Sequence, residues 1–163
     1  MTNKFQIVNP REEELGGTRR ALLVGIRYTG QAGELDGCHN DVKDIKEYLI
    51  NYQGFKEHNF AVLMDDGLNT YPTKENIMKA FKNLVTWSKP GDSIFCHFSG
   101  HGLSTKDTSG DEPDGQDENL VPVDYTTAGL ICDDTLYATF VKKLPRDALV
   151  TCLFDCCHSG TGM

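Results

Sequence analysis

Two short segments of the chain combine reactive side chains with small residues. Segment 99–102 reads Ser-Gly-His-Gly and contains His101, and segment 155–160 reads Asp-Cys-Cys-His-Ser-Gly and contains Cys157. A cysteine attacks a carbonyl carbon as its thiolate, and a histidine can accept the thiol proton and later return it to a leaving amine. The backbone N–H groups of Gly102 and Cys157 are candidates to stabilise the oxyanion. The segments predict cysteine-dependent acyl transfer, whereas a lone histidine or cysteine is more often a packing residue.

The elements that must position these segments alternate between strand and helix. Apolar runs predict strands at 20–26, 60–64, 94–98 and 148–154. This order is typical of an α/β protein with a mostly parallel sheet, right-handed crossovers and helices on both faces. Because both reactive segments directly follow predicted strands, we expect them to meet beyond the carboxyl ends of the sheet.

Three helices are predicted between these strands from apolar residues at helical spacing. Asn40, Thr73 and Asp133 or Asp134 are their candidate caps. The predicted inward faces are Val42, Ile45, Tyr48, Leu49 and Tyr52 in the first helix, Ile77, Ala80, Phe81, Leu84 and Trp87 in the second, and Leu136, Tyr137, Phe140, Val141 and Leu144 in the third.

Composition excludes several classes of protein. The 163 residues carry 16 Lys and Arg against 24 Asp and Glu, a net charge of −8, which disfavours a nucleic-acid partner. No apolar run approaches the ~20 residues of a membrane-spanning helix, and the N-terminus lacks a secretion signal. We therefore expect a cytoplasmic protein with no membrane partner and with its six cysteines reduced. Residues 1–19 are expected to be a polar lead-in segment and 20–163 a single domain.

The two reactive segments resemble the catalytic motifs of metacaspases. Segments 36–42 (Asp-Gly-Cys-His-Asn-Asp-Val), 121–124 (Val-Pro-Val-Asp) and 131–134 (Ile-Cys-Asp-Asp) resemble further signatures of that family in the same order. Caspases share the architecture, but their cysteine lies in a Gln-Ala-Cys context that is not present here. The resemblance implies a caspase-like three-layer sandwich and a cysteine endopeptidase made as a zymogen, with His101 as general base and acid and Cys157 as nucleophile.

The same resemblance implies a substrate pocket and a preference for basic residues. It places Cys38, Asp41, Ser99 and Asp155 around the side chain that precedes the scissile bond. Carboxylates there favour Arg or Lys, because a guanidinium forms charge-assisted hydrogen bonds with them. The alternatives are that Asp41 is a first-turn helix carboxylate and Asp155 a turn residue.

A dense acidic stretch raises the question of a metal. Seven acidic residues lie between positions 107 and 124, with no basic residue among them. Such a run is typical of a solvated loop, whereas calcium takes ~6 to 8 oxygen ligands and would neutralise it. The resemblance implies a calcium site at Asp117, Asp133 and Asp134 and calcium-activated cleavage. No zinc site is expected from the Cys and His residues near positions 97–101 and 156–158.

Two further expectations concern cysteines and subunits. Cys96 and Cys152 each lie five residues before a reactive residue, so adjacent parallel strands would place them side by side. They are either apolar-like packing residues or a redox pair, which requires Cβ atoms within ~4.5 Å.

The resemblance implies that 20–163 is a large catalytic domain partnered by a smaller subunit, absent from this chain, that completes the substrate cleft. The alternative function is a non-catalytic, calcium-binding regulatory module that needs that separate subunit.

Overall fold

A four-stranded parallel sheet forms the centre of the protein. The computed structural model describes residues 17–106 and 116–156. The strand order is β2-β1-β3-β7, and every neighbouring pair is parallel. The strands are β1 (Arg19–Gly25), β2 (Phe60–Met64), β3 (Ser93–Ser99) and β7 (Leu149–Asp155). The predicted parallel sheet is confirmed, and β1 begins one residue before the expected start of the domain at 20.

Helices cover both faces of this sheet. They are α1 (Cys38–Gln53), α2 (Lys74–Trp87), α3 (Tyr125–Ala128) and α4 (Asp133–Thr139), with short 3-10 turns at Glu57–Asn59 and Val141–Lys143. Alternate residues of a strand point to opposite faces, so β1 supplies two cores. Ala21 and Leu23 pack with Val42 and Leu49 of α1. Leu22 and Val24 face the other way, into a larger core with α2 and α4. The predicted three-layer α/β architecture is therefore confirmed.

The start of α1 lies very close to the end of β1. A Cβ built on Gly25 would lie 2.7 Å from Val42 Cγ2 and 2.8 Å from the Cys38 carbonyl oxygen. Contacts under 3 Å are repulsive, so only glycine permits this approach. The close packing presses the first turn of α1, with Cys38 and Asp41, against the carboxyl end of the sheet. Gly37, rather than Asn40, is the residue before the helix.

A second sheet was not predicted. In the acidic region, β4 (Gly102–Lys106), β5 (Gln116–Leu120) and β6 (Ile131–Cys132) form an antiparallel sheet in the order β4-β5-β6. The sequence of β5, Gln-Asp-Glu-Asn-Leu, has almost no strand propensity, because its charged and amide residues are depleted in strands. Its strand conformation comes from pairing with β4 on one side and β6 on the other.

Several predicted inward residues are exposed. The third predicted helix ends at Thr139 and continues as a 3-10 turn, so its apolar stripe is interrupted. Leu136 and Phe140 are buried, but Tyr137 is 59% exposed and Val141 is also exposed. Trp87, the last residue of α2, is exposed as well, and so are Tyr48 and Tyr52 of α1. Tyr48 is turned about 100° around the helix from the buried Leu49, which explains its exposure. The cap prediction for α2 is confirmed, since Thr73 accepts a hydrogen bond from the Asn76 N–H.

The edge strand β7 differs from the other strands of the sheet. Leu149, Cys152, Leu153 and Phe154 are exposed, although the register pairs them with residues of β3. Cys152 therefore lies at the surface and not in the core. None of the helices within the described ranges is long and apolar enough to cross a membrane.

Candidate active site

The two reactive segments leave the same edge of the sheet from neighbouring strands. β3 ends at Ser99 and β7 ends at Asp155, and the register pairs these two residues directly. The Gly100 N–H also donates to the Asp155 carbonyl oxygen over 3.4 Å. His101 follows Ser99 by two positions, and Cys157 follows Asp155 by two positions. The two segments thus leave neighbouring parallel strands at the same edge of the sheet, and each reactive residue lies two positions after the last residue of its strand.

The predicted nucleophile lies outside the described residues. The structure describes the chain as far as Cys156, whose half-buried side chain packs against the larger core. Cys157 and the N–H predicted to help stabilise an oxyanion fall beyond that point.

His101 is held through its ring by a main-chain carbonyl. Nε2 lies 2.6 Å from the Gly33 carbonyl oxygen, in the loop between β1 and α1. A carbonyl oxygen only accepts, so Nε2 carries the proton and donates it. The neutral ring then has an unprotonated Nδ1, which is the acceptor a thiol proton requires. Gly33 was not predicted, because a backbone carbonyl has no side-chain signature.

The candidate oxyanion donor Gly102 has a defined direction. Gly102 is paired with Leu120, and the Val121 N–H donates to the His101 carbonyl oxygen over 3.1 Å. In an antiparallel ladder this hydrogen bond marks Gly102 and Leu120 as a pair that does not exchange hydrogen bonds. The Gly102 N–H therefore points to the side of β4 away from β5, as a donor to a bound ligand must.

The four predicted pocket residues lie together at the start of α1 and the ends of β3 and β7. The Ser99 hydroxyl donates to Asp41 Oδ2 over 2.8 Å. Cys38 is buried, and burial raises the pKa of its thiol although a hydrogen bond with Ser99 opposes this. Asp155 is the register partner of Ser99. The structure therefore brings Cys38, Asp41, Ser99 and Asp155 to one place.

His97 lies beneath this group. It precedes Ser99 by two positions on β3, so both side chains point to the α1 face. Burial lowers the pKa of His97, and the charges of Asp41 and Asp155 oppose that effect. Its Nδ1 is buried without a hydrogen-bond partner among the described residues. His97 is therefore a buried histidine within electrostatic reach of both carboxylates.

Two of the three predicted metal ligands, Asp117 and Asp133, are grouped with Cys132 among the described residues, whereas the Asp134 carboxylate is not part of that group. Ligand atoms of Asp117, Cys132 and Asp133 lie within 4.8 Å of one another, and the Asp134 N–H donates to Asp133 Oδ1 over 2.9 Å. Two carboxylates are hard ligands that fit calcium, whereas a thiol is a soft ligand that calcium does not use. Asp117 and Asp133 therefore fit the expected ion. Positions 107–115 of the acidic run lie outside the described residues.

The two cysteines expected to be neighbours are register partners. Cys96 pairs with Cys152 across β3 and β7, and both are free thiols. A hydrogen bond between the thiols, together with burial, raises the pKa of Cys96, and the same hydrogen bond lowers the pKa of Cys152. Only Cys96 is buried, so the pair joins a core thiol to a surface thiol.

Sequence reasoning missed a buried carboxylate near the site. Asp65, at the end of β2, accepts hydrogen bonds from the Arg27 N–H over 2.9 Å and the Tyr28 N–H over 2.8 Å. His39 Nε2 lies 2.7 Å from the same carboxylate. Burial opposes the ionisation of Asp65, but these hydrogen bonds outweigh it and hold its pKa below the usual range. The Asp-Asp-Gly sequence at 65–67 had predicted only the end of a strand.

Comparisons with known proteins agree on one family. A family model described as "Metacaspase, peptidase C14 domain" matches residues 19–163. The chain is 49% identical over 163 residues to "Metacaspase III c" of Phaeodactylum tricornutum, covering 99% of this chain and 48% of that protein. It is 49% identical over 147 residues to "Metacaspase-1A" of Neurospora crassa, covering 89% of this chain and 32% of that protein.

A solved structure shares the fold. A crystal structure of a Geobacter sulfurreducens protein superposes with a TM-score of 0.66 at 33% identity, covering 88% of this chain and 52% of that chain. The chain thus spans about half, or less, of the length of these relatives.

Proposed function

Because the chain belongs to the metacaspase family of caspase-like cysteine peptidases, we propose that it cleaves peptide bonds after Arg or Lys, with Cys157 as nucleophile, His101 as general base and acid, and calcium as activator. The observation that carries this proposal is the pairing of Ser99 with Asp155, which sends the two reactive segments out of one sheet edge. The fixed orientation of the His101 ring supports the same assignment.

The proposed reaction begins with proton transfer. Nδ1 of His101 takes the thiol proton of Cys157, and the thiolate attacks the scissile carbonyl carbon to form a C–S bond. The oxyanion is stabilised by the N–H groups of Gly102 and Cys157. As the C–N bond breaks, the imidazolium returns its proton to the leaving amine. Water then hydrolyses the thioester, with His101 accepting a water proton and restoring the thiol.

The proposed preference for a basic residue rests on charge. Asp41, in the first turn of α1, and Asp155, at the end of β7, are the two carboxylates beside Ser99, and the Ser99 hydroxyl holds Asp41 in place. A guanidinium or ammonium group gains charge-assisted hydrogen bonds from such a pair, whereas an acidic side chain is repelled. We therefore expect Arg and Lys, and not Asp, before the scissile bond.

Calcium is proposed to bind beside the cleft. Asp117 and Asp133, with the adjacent Asp134, are the residues that would hold it, and the ion would supply positive charge to an otherwise acidic region. A cavity of about 320 Å³ is lined by Asp133 as well as by Gly102 and Cys156. An ion held at Asp133 therefore lies close enough to the candidate catalytic segments to affect their order.

The exposed edge strand supports a further partner. Leu149, Leu153 and Phe154 of β7 are exposed apolar side chains on a strand that, within the described part of the chain, has a sheet neighbour on one side only. Exposed apolar edge strands are templates for strand addition. We propose that a smaller subunit, from the remaining length of the protein or from a separate chain, pairs with β7 and extends the sheet.

Fluorogenic peptides with Arg, Lys or Asp before the reporter test this function. We expect cleavage of the Arg and Lys peptides, stimulation by about millimolar calcium over chelator, and a loss of at least about 10³-fold in Cys157→Ala. Cys156→Ala removes the neighbouring thiol and is the matched control, which should retain most of the activity. Preference for Asp would contradict the pocket assignment, and equal rates in calcium and chelator would contradict activation. Cleavage that persists in Cys157→Ala would contradict Cys157 as the nucleophile, and an absence of cleavage by the wild type would favour the non-catalytic module.

A further inference from the structure

The loop between β1 and α1, residues 26–37, wraps around His101. Gly33 contributes the carbonyl that accepts the Nε2 proton. The same loop contains Tyr28, whose side chain is almost fully buried at 1% exposure and whose φ is 57°. A bulky residue in the left-handed region is strained, and such strain persists only where the surroundings fix it. The strained conformation of Tyr28 therefore indicates that contacts with its surroundings hold this residue in place.

Tyr28 contacts both the main chain and the ring of His101. Its hydroxyl accepts a hydrogen bond from the His101 N–H over 3.0 Å and donates one to the Val121 carbonyl oxygen over 2.6 Å. The two rings pack at 4.7 Å between centroids with a tilt of 39°. Burial raises the pKa of the Tyr28 hydroxyl far above its ordinary value, so the hydroxyl keeps the proton that it donates.

Gly100, between the end of β3 and His101, leaves room for the Tyr28 hydroxyl. A Cβ on Gly100 would lie 3.0 Å from the Tyr28 hydroxyl and 3.0 Å from the Phe98 ring. Glycine at position 100 thus allows the hydroxyl to reach the His101 N–H.

The strained backbone at Tyr28 is fixed by one hydrogen bond to a residue outside the loop and one from within it. Asp65 accepts the Tyr28 N–H, and the Gln31 N–H donates to the Tyr28 carbonyl oxygen over 2.9 Å. Both main-chain polar groups of Tyr28 are therefore engaged, and the buried Asp65 connects them to the end of β2.

We propose that Tyr28 is a positioning residue for His101. Its hydroxyl fixes the main chain of His101, and its ring fixes the imidazole plane, so that the Gly33 carbonyl retains the Nε2 proton and Nδ1 stays unprotonated. The inference rests on the proposed function for the role of His101 but not for these contacts. Tyr28 acts through His101 and touches no reacting atom.

The variant Tyr28→Phe isolates the hydroxyl, because it keeps the ring and removes only the two hydrogen bonds. We expect kcat on the Arg peptide to fall about tenfold with KM within about twofold, since small displacements of a catalytic group reduce turnover. Ile94→Val, a buried substitution at the opposite end of β3, is the control for general destabilisation and should leave both constants unchanged. Equal kinetics in Tyr28→Phe and Ile94→Val would overturn the proposal.

A spectroscopic measurement separates this inference from the peptidase function. In protein labelled with ¹⁵N-histidine, at neutral pH and without substrate, His101 should show the Nε2–H tautomer, with His101→Gln identifying its signal. Tyr28→Phe should reduce the fraction of that tautomer, and Ile94→Val should not. If Tyr28→Phe changes the tautomer of His101 but the wild type cleaves no peptide, the proposed function is contradicted and the inference is supported. If Tyr28→Phe leaves the tautomer of His101 unchanged and the wild type is active, only the inference is contradicted.

A second variant keeps the test available if Tyr28→Phe does not fold. Asp65→Asn leaves Tyr28 intact but replaces one acceptor oxygen with a donor facing the loop N–H groups. The proposal expects the same lowered kcat and the same loss of the Nε2–H tautomer. A normal His101 signal in Asp65→Asn would contradict the placement of His101 through this loop.

Discussion

The strands β3 and β7 lead to the candidate base and the candidate nucleophile, and they differ in how much protein surrounds them. β3 has a parallel neighbour on each side and is buried along most of its length. β7 has one neighbour in the part of the chain that the structure describes, and it is exposed along most of its length. The register partners Phe98 and Phe154 illustrate this difference, with 2% and 44% of their surface exposed.

This difference indicates that the two halves of the site are organised by different means. The candidate base, His101, is fixed by contacts within the described fold, through Gly33 to its ring and Tyr28 to its main chain. The segment of the nucleophile follows a strand whose outer edge has no strand beside it among the described residues. A partner that covers β7 would therefore act mainly on the nucleophile half. Under the proposed function, we therefore expect activation to concern Cys157 more than His101.

The largest expected effect compares the paired phenylalanines. Phe98→Ala should lower the free energy of unfolding by about 3–5 kcal/mol, because a buried ring leaves a cavity. Phe154→Ala should lower it by about 1 kcal/mol, as for a partly exposed side chain. Urea denaturation followed by circular dichroism measures both values. Similar losses in the two variants would show that β7 is as enclosed in solution as β3.

A smaller effect compares the paired cysteines. Cys152 is exposed and its pKa is lowered by the hydrogen bond with Cys96, whereas Cys96 is buried and its pKa is raised. Iodoacetamide near pH 8 should therefore modify Cys152 at least about tenfold faster than Cys96, because the thiolate is the nucleophile. Peptide mapping by mass spectrometry measures the two rates. Cys96→Ala should slow the modification of Cys152, and an unchanged rate would argue against the hydrogen bond.

The smallest effect concerns His97, on the opposite face of β3 from Phe98. Burial lowers the pKa of His97 in the folded protein below its ordinary value of 6.5. As pH falls through that value, the unfolded chain takes up the proton first, so the folded state loses stability. The free energy of unfolding, measured by urea denaturation at pH 7.5 and 5.5, should change less between the two pH values in His97→Gln than in the wild type. The difference between the two proteins should be smaller than the loss of stability in Phe98→Ala. An equal pH dependence in both proteins would mean that His97 is accessible to protons in the fold.

The parallel sheet could be predicted from the sequence because its strands are short apolar runs interrupted by helical periodicity. The residues at the strand ends could be predicted for the same reason, since glycines and polar side chains directly follow those runs. The second sheet could not be predicted, because β5 is polar and becomes a strand only through its neighbours. Tyr28 and Asp65 were missed because they act on His101 through the folded chain, over a long separation in sequence.

The carbonyl of Gly33 has a consequence for how such sites diverge. The group that orients His101 belongs to the peptide backbone, so exchanging the amino acid at position 33 does not delete it. Its spatial position depends on the number of residues between Ile26 and Gly37. An insertion or deletion in this loop should therefore be selected against more strongly than a substitution of Gly33. We expect related sequences to conserve the length of this loop more than the amino acid at position 33.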